Sequence, residues 1–526
     1  MHSTMKRFSF FLPVFLAFLP AGAQMDTNAP DESAAINAAS VLIATNAVTR
    51  AMSLQDCLQE ALQHNLDVQI QRYNPQISLY DLRADYGGYD PTLSLQGQHR
   101  YGVSPSSFNP SQTNQTPPTI SDQNSFGPAG NSEISGALPW GLQYDLIGSI
   151  AEQYGTQAGA PFDSSSGDVQ VQLAQPLLKN FWIDQTRLGI RVARNRLKYS
   201  QQGLRNQIIA SATAVENAYY ELIYAQENVK VQQEALVLAQ TLLDQDNQRV
   251  QIGTVAERAG TIEQDEAQAA QSQANLIAAQ YLLVQDQNSL KNLLADTNYL
   301  SWHDIDIQPT AALAALPQSF DLQESWRKGM TERPDLLQAR LDVEKQGIQL
   351  KFDRNQLFPE LDVFGSYGFN GAGREYSGTL GQINEGNAPF YSYGARMTIP
   401  LSNLGARNTF KADKLSEKQL LLTLKQLEQK IMVDIDNAVK NAQSTYQGVQ
   451  ASRQARIYAE AALDAEQKKY AVGKSTTFTV LQLQNTLTTD RGLEIRALAN
   501  YNEALANLAA TEGSTLERDR IDLQAK

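Results

Sequence analysis

Side chains able to carry out chemistry are few in this chain, and they are scattered. Its histidines are His2, His64, His99 and His303, and none are spaced as the ligands of a metal site are. Cys57 is the lone cysteine, which rules out a disulfide within the chain. It sits in SLQDCLQEAL, on the apolar face of a short helix, where a small buried residue is expected. No glycine-rich phosphate loop and no GxSxG elbow occurs. Asp and Glu are spread along helical stretches, as on a solvated face. The pattern speaks against an enzyme and predicts no cofactor. Polar residues do concentrate at two tips, RVQIGTVAERAG (249–260) and KKYAVGKSTTFT (468–479). Each tip lies between two long helical stretches, and glycine at its centre permits the chain to reverse.

The elements that carry these tips are unusual. From about Ile183 to Val250 the chain runs without proline, about 100 Å of helix at 1.5 Å per residue. Ile208, Val215, Leu222, Val229, Leu236, Leu243 and Val250 recur every seventh residue. On the returning stretch Ala267, Ala270, Ala274, Ile277, Tyr281 and Val284 keep a 3-4-3-4-3 spacing, a coiled-coil seam of small knobs. Leu498, Tyr501, Leu505 and Leu508 repeat that spacing in the second half. Helices this long cannot fold onto one globular core and must pack side by side.

The chain is written twice. SLQDCLQEAL and DLQESWRKGM each open a short helix, a second helix, a proline and alternating strands. AQPLLKN (174–180) and TIPLSNLG (398–405) each precede a long helix. Pro176 to Gly253 nearly equals Pro400 to Gly473 in length, whereas Pro91 to Pro176 is about twice Pro359 to Pro400. The first half therefore carries about 44 extra residues among its strands. Of these, 104–130 reads as loop, and EISGALPWGLQYDLIGSIAEQ (132–152) as an extra hairpin turned at Pro139-Trp140-Gly141.

Those strands alternate. Leu361, Val363, Tyr367 and Phe369 share one face, against Asp362, Ser366 and Asn370 on the other, interrupted by Phe364. Tyr391, Tyr393, Ala395, Met397 and Ile399 oppose Ser392, Gly394, Arg396 and Thr398. Leu93, Leu95, Tyr101 and Val103 oppose Ser94, Gln96, Gln98 and Arg100. Such strands suit a soluble sandwich or a barrel with lipid outside and water inside. The N-terminus tips the balance. MHSTMKR followed by FSFFLPVFLAFLP and Ala21-Gly22-Ala23 reads as an export signal cleaved after Ala23. Its apolar run is shorter than the ~17 residues needed to span a bilayer. Removing Lys6 and Arg7 takes the net charge from −13 to −15. So acidic a chain is not expected to bind nucleic acid, which calls for a basic surface. With 19% charged and 42% hydrophobic residues it is not a disordered chain. No apolar run of helical span length follows the signal, so a bilayer would have to be crossed by a β-barrel. Four strands cannot close a barrel of useful bore, so several chains would share one.

In this order and duplicated, the elements resemble the TolC-type outer-membrane efflux proteins, the outer membrane factors. The match covers nearly the whole mature chain: the repeat starts, the strand ends at Pro176 and Pro400, and the tips around Gly253 and Gly473. The resemblance implies a homotrimer in the lipid of the outer membrane, with four strands per chain in a shared barrel and paired helices in a periplasmic tunnel. It implies docking onto a periplasmic adaptor (a membrane fusion protein) and an inner-membrane pump, for efflux of small molecules or type I secretion of proteins. Ile252-Gly253-Thr254 and Val472-Gly473-Lys474 match the family's adaptor-contact motif, and Tyr470 matches its gating tyrosine. The basic residue expected beside the turn falls on Ser475, the two acidic constriction positions on Thr479 and Gln482, and the aspartate of the first tip on Ala259. The periplasmic gate is thus expected to lack the usual polar latch and acidic ring, and to favour cations less.

The expected fold is an α+β membrane protein: a shared transmembrane β-barrel, about four strands per chain, continued by a long antiparallel α-helical coiled-coil tunnel. Its divisions are a signal peptide (1–23), an N-terminal extension (24–52), a first repeat (53–307), a linker (308–320), a second repeat (321–512) and a tail (513–526). In the first repeat strands fall at about 91–176 and long helices at about 183–250 and 257–298. In the second, strands fall at about 361–371 and 390–401 and long helices at about 403–471 and 477–512. The rival readings are a periplasmic coiled-coil adaptor or scaffold that spans no membrane, and a passive porin.

Overall fold

A computed structural model describes residues 48–106, 117–157, 159–251, 261–295 and 300–521. The signal sequence, most of the N-terminal extension, and Ile252, Gly253, Thr254 and Ala259 of the first tip lie outside the described residues. A short strand β1 (Val48–Met52) leads into α1 (Leu54–His64) and α2 (Leu66–Tyr86). Five strands follow: β2 (Thr92–Ser94), β3 (Gly97–Ser104), β4 (Thr119–Ala137), β5 (Gln143–Gln157) and β6 (Ala160–Pro176). The long α3 (Gln185–Gln251) descends, α4 (Thr261–Leu294) returns, and a helical turn α5 (Leu300–His303) precedes β7 (Ile305–Pro309). The second half has α6 (Leu322–Glu332), α7 (Pro334–Gln356), β8 (Glu360–Gly373), α8 (Tyr376–Glu385) and β9 (Pro389–Thr398). It ends with α9 (Leu404–Ala471), α10 (Thr477–Glu512) and a last turn α11 (Thr515–Arg518).

Helix lengths set the architecture. α3 and α9 have 67 and 68 residues, about 100 Å each. α4 and α10 have 34 and 36, about half that rise. The uncovered half of each long helix is met by the shorter helices before the strands: α2 packs on α3, and α7 bridges α3 and α9. Every level of the helical layer is therefore crossed by four helices. Within the heptad row of α3, Ile208, Val215, Leu222 and Leu236 are buried, and Val229, Leu243 and Val250 are half-buried. On α4 the buried row is Asp265, Ser272, Leu276, Ala279 and Leu290. The small-knob row on the same helix, Ala267 to Val284, is exposed in the single chain, with Ile277 and Tyr281 at 56% and 69% exposure. That seam is not the one that joins α4 to α3. Among the described residues no helix is long and apolar enough to cross a membrane.

Between the two helical levels the chain closes a small core of its own. β1 pairs in parallel with β7. Met52, Cys57, Leu58, Val215, Tyr219, Leu222, Leu290, Leu294, Trp302 and Ile307 are buried there together. The α1 start is fixed by Ser53, which accepts from the Asp56 amide while Asp56 accepts from the Ser53 amide, a reciprocal cap. Burial pushes the Cys57 thiol up to about 12, so it is an inert packing group.

The remaining strands form one antiparallel sheet in the order β2-β4-β5-β6-β8-β9, with β3 also on β4. As β2 and β3 share one partner, the sheet is six strands wide. This corrects the expected four. Residues 119–130, within the stretch 104–130 that reads as loop, are most of β4, and its hairpin with β5 is part of the sheet. The turn is where the sequence puts it. The Gly141 amide donates to the Leu138 carbonyl at 2.7 Å, with Gly141 at φ 93°, a region that glycine enters without strain. One register row reads Leu93, Ile134, Leu146, Val171, Tyr367, Tyr391 across all six strands. A row on the opposite face reads Thr92, Ser135, Asp145, Gln172, Ser366, Ser392. Trp140 and Trp182 are exposed where strands meet helices, the level at which aromatic residues anchor a bilayer boundary.

Candidate functional site

The second tip is built by backbone geometry before any side chain acts. The α9 helix ends with the Gly473 amide on the Tyr470 carbonyl at 3.0 Å and the Lys474 amide on the Lys469 carbonyl at 2.9 Å. This is the paired closure that requires a left-handed residue at its centre, and Gly473 has φ 72°. Three residues later Thr476 caps α10, its hydroxyl accepting from the Thr479 amide. Beneath the turn Leu242, Ala459, Leu463, Val480, Leu481 and Leu487 are buried together, with the Tyr470 ring against them.

On that apolar floor stands a polar cluster drawn from three helices. The Tyr470 hydroxyl donates to Asp246 Oδ1 on α3 and lies 3.0 Å from Thr477 Oγ1 on α10. Thr477 Oγ1 donates to Asp246 Oδ2 at 2.7 Å. The Arg249 guanidinium is 4.2 Å from the centre of the Tyr470 ring and 3.7 Å from Asp246 Oδ1. Burial first, and the Asp246 carboxylate second, hold the Tyr470 hydroxyl above its usual value. Asp265 on α4 adds a second carboxyl group to the cluster. It is 1% exposed, and neither of its oxygens has a hydrogen-bond partner. Burial, and then the charge of Asp246, push it up to about 7.

Of the other positions the sequence singles out, Ser475 donates to Glu466 Oε1 at 2.5 Å, and Glu466 also accepts from Lys469 at 2.8 Å. Those bonds, Lys469 first, hold Glu466 below the usual carboxylate range. Thr479 lies in the first turn of α10, 3.0 Å from the Thr476 hydroxyl, and Gln482 points to solvent. Val472, Gly473 and Lys474 are exposed at the apex. Matched position by position, the tip lacks a polar latch. The structure does join the helices there by polar contacts of another kind, centred on Asp246 of the descending helix. The sequence marks Asp246 as unusual but not its partner. Ser211, Ala218, Ala225, Gln232, Ala239 and Asp246 recur every seventh residue as a row of small or polar residues beside the apolar one, and only Asp246 in it is charged.

A six-stranded sheet with one apolar and one polar face, joined twice to helices of about 100 Å that turn at a polar tip, has the form of a channel wall. Comparison with known proteins agrees. Residues 141–296 and 329–514, more than half the chain, match the family described as "Outer membrane efflux protein". The chain belongs to the outer membrane efflux protein family. It is 24% identical to the outer membrane protein TolC of Vibrio cholerae over 379 residues, which cover 70% of this chain and 81% of that protein. Its fold is similar to the CmeC outer membrane channel of Campylobacter jejuni, with a TM-score of 0.62, 14% identity and 90% of each chain covered. It is likewise similar to VceC of Vibrio cholerae, with a TM-score of 0.61, 15% identity, and 88% of this chain and 96% of that one covered. As a member of this efflux family the protein is a transport channel of the outer membrane.

Proposed function

We propose that three copies of this efflux channel close one barrel and one helical tube, through which an inner-membrane pump, bridged by a periplasmic adaptor, expels small molecules or proteins. The observation that carries this reading is the pair of open edges on an amphipathic sheet. Among the described residues β9 pairs only with β8, and β2 and β3 only with β4, so each edge is a row of backbone groups that lipid cannot satisfy. Pairing β9 of one copy with β2 and β3 of the next closes a ring. The exposed row Ala267, Ala270, Ala274, Ile277, Tyr281 and Val284 supports the same assembly, because small knobs let a neighbouring helix approach closely. The channel itself supplies the duct, and energy comes from the pump.

The tips give the assembly its two contacts with the outside. Val472, Gly473 and Lys474 at the second apex, with Ile252, Gly253 and Thr254 at the first, present the adaptor surface. Tyr470, Thr477, Asp246 and Arg249 form the latch that holds the periplasmic end narrow. Thr479 and Gln482 stand where acidic residues would otherwise ring the constriction, so divalent cations find no carboxylate ring there. A periplasmic adaptor or scaffold is the weaker reading, since a soluble protein has no use for a continuous apolar row across six strands. Fractionation of the processed protein, then sizing in detergent, tests the proposal. A species of three chains in the outer membrane is expected. A water-soluble monomer or dimer would rule it out.

A further inference from the structure

We propose that the barrel of this channel has six strands from every chain, eighteen in all, so that the outer-membrane exit is as wide as the helical tube beneath it. The inference rests on the trimeric reading above and adds the bore to it. Two observations carry it. First, the hairpin β4–β5 is wall and not ornament. Its foot is locked to the helical layer: Arg187 of α3 donates to the Asn180 carbonyl at 3.0 Å, and its Nη2 lies 2.7 Å from where a Cβ on Gly141 would be. From that foot β5 and β6 rise 15 and 17 residues, enough at ~3.3 Å per residue and ~40° of tilt to cross the ~25 Å apolar band of a barrel. The apolar and polar rows continue through the lower part of β4 and β5, below a register shift between Phe126 and Asn131 and with Ile147 as the exception on the polar face. Ile134 and Leu146 continue the row of Val171, Tyr367 and Tyr391, and Ser135 and Asp145 continue the row of Gln172, Ser366 and Ser392.

Second, the girths match. Four helices per chain, ~9 Å apart, take up ~36 Å of circumference. Six strands ~4.8 Å apart and tilted ~40° take up ~38 Å, whereas four take up ~25 Å. An eighteen-stranded ring measures about 36 Å between backbones, and a twelve-stranded one about 24 Å. With six strands the sheet meets the helical layer without a taper. Nor is the added width refilled. On the polar face the added strands carry short side chains at Ser121, Ser125, Ser149 and Ala151, beside the longer Glu133 and Ile147. α8 lies on the other face, its buried Thr379 bonded at 2.8 Å to Ser165, which shares the face of Val169 and Val171. The limit on cargo size then falls at the periplasmic tip, not at the membrane.

Single cysteines on β5 of the full-length protein, in outer membranes, test this; the native Cys57 is buried. Leu146→Cys and Ile150→Cys are expected to react with a lipid-soluble maleimide, and Asp145→Cys and Ala151→Cys with a water-soluble one. Imaging of the detergent-purified particle is expected to show eighteen strands. A trimer that shows twelve strands, or whose four positions label alike with the water-soluble reagent, overturns this inference alone. A particle that is not three chains overturns the shared-barrel reading and the count of eighteen with it.

Discussion

Tyr470 and Asp246 are bonded hydroxyl to carboxylate across the tip, although 224 residues separate them in the chain. The bond ties the end of α9 to the end of α3, so the two helical hairpins of one chain cannot part there without breaking it. A hydrogen bond to a charged group is worth about 1.5–3 kcal/mol, which is at least about tenfold in the ratio of closed to open tips. Tyr470→Phe keeps the ring on its apolar floor and removes the donor. It is expected to raise the open fraction about tenfold in single-channel recordings, and Asp246→Asn, which weakens three contacts, to raise it further. Recordings indistinguishable from wild type would remove Tyr470 from the latch.

Asp265 makes the same contact depend on pH. Its folded value, about 7, lies above the ordinary 3.8, so the folded tip holds a proton that the loosened tip gives up. The sign follows. Below about pH 4 the group is protonated in both states and costs nothing. As pH rises from 4 to 7 the tip loses stability, and above 7 the full penalty of a buried charge beside Asp246 is present. Amide exchange at 461–485 is expected to be slower at pH 5.5 than at pH 8, after correction for intrinsic rates. In Asp265→Asn that difference should largely disappear. A variant with the wild-type pH profile would show that another group is titrating.

How far the sequence reveals this fold depends on the range over which each signal repeats. The α3 row from Ile208 to Val250 holds phase for six heptads, which fixes both the helix and its packed side. The alternation of Leu361 to Phe369 identifies a strand because one of its faces is apolar and the other mostly polar. β4 fails that test. Its outer end carries Asp122 and Asn124 on the lipid-side face and Ser121 and Gln123 on the other, so above the apolar band both faces are polar and the stretch reads as loop. The hairpin turn at Pro139-Trp140-Gly141 is legible, since turn chemistry is local. The latch is not. Whether Asp246 meets Ala259 or Tyr470 depends on how two hairpins pack, which no spacing along the chain encodes. The small-knob row of α4 is legible as a seam but not as to its partner, because one chain leaves it open.

At the proposed constriction the expected behaviour is set by what Thr479 and Gln482 lack. Uncharged side chains give a divalent cation no opposite charge to bind. Channel current is therefore expected to be blocked only weakly by divalent cations, and Thr479→Asp with Gln482→Asp to make block tighter by an order of magnitude or more. Strong block of the wild-type channel that depends on these two positions would refute the assignment.

The apex turn depends on Gly473 for its backbone alone. A Cβ there would meet nothing within 4 Å, so any cost of substitution comes from φ 72°. Gly473→Ala is expected to cost about 1–2 kcal/mol at the tip, and Gly473→Asn less, since asparagine tolerates that region. Adaptor affinity, measured against the detergent-solubilised channel, should fall for alanine and be partly restored by asparagine. Equal loss with both would mean that the adaptor reads the absence of a side chain and not the turn.

Far from the tip, Arg518 of α11 closes the helical layer over Glu216 of α3. The two are ion-paired, and Arg518 also bonds Asp519 at 2.9 Å. The Glu216 side chain is 2% exposed. Burial, and the nearby Asp519 carboxyl, push it up to about 8 despite the arginine. Two acids thus share one cation, with the Glu216 carboxyl buried and the Arg518 side chain about one-third exposed. Removing the cation leaves a buried carboxyl without a partner, which costs about 3–5 kcal/mol. Arg518→Ala is therefore expected to lower the unfolding temperature of the detergent-solubilised channel clearly, and more at pH 8.5 than at pH 6, where Glu216 can take up a proton. Adding Glu216→Gln to Arg518→Ala should recover most of the loss and flatten the pH dependence, because the charge that needed the arginine is gone. If the double variant were no more stable than the single one, Arg518 would be acting through packing of its stem, and the ion pair would be incidental.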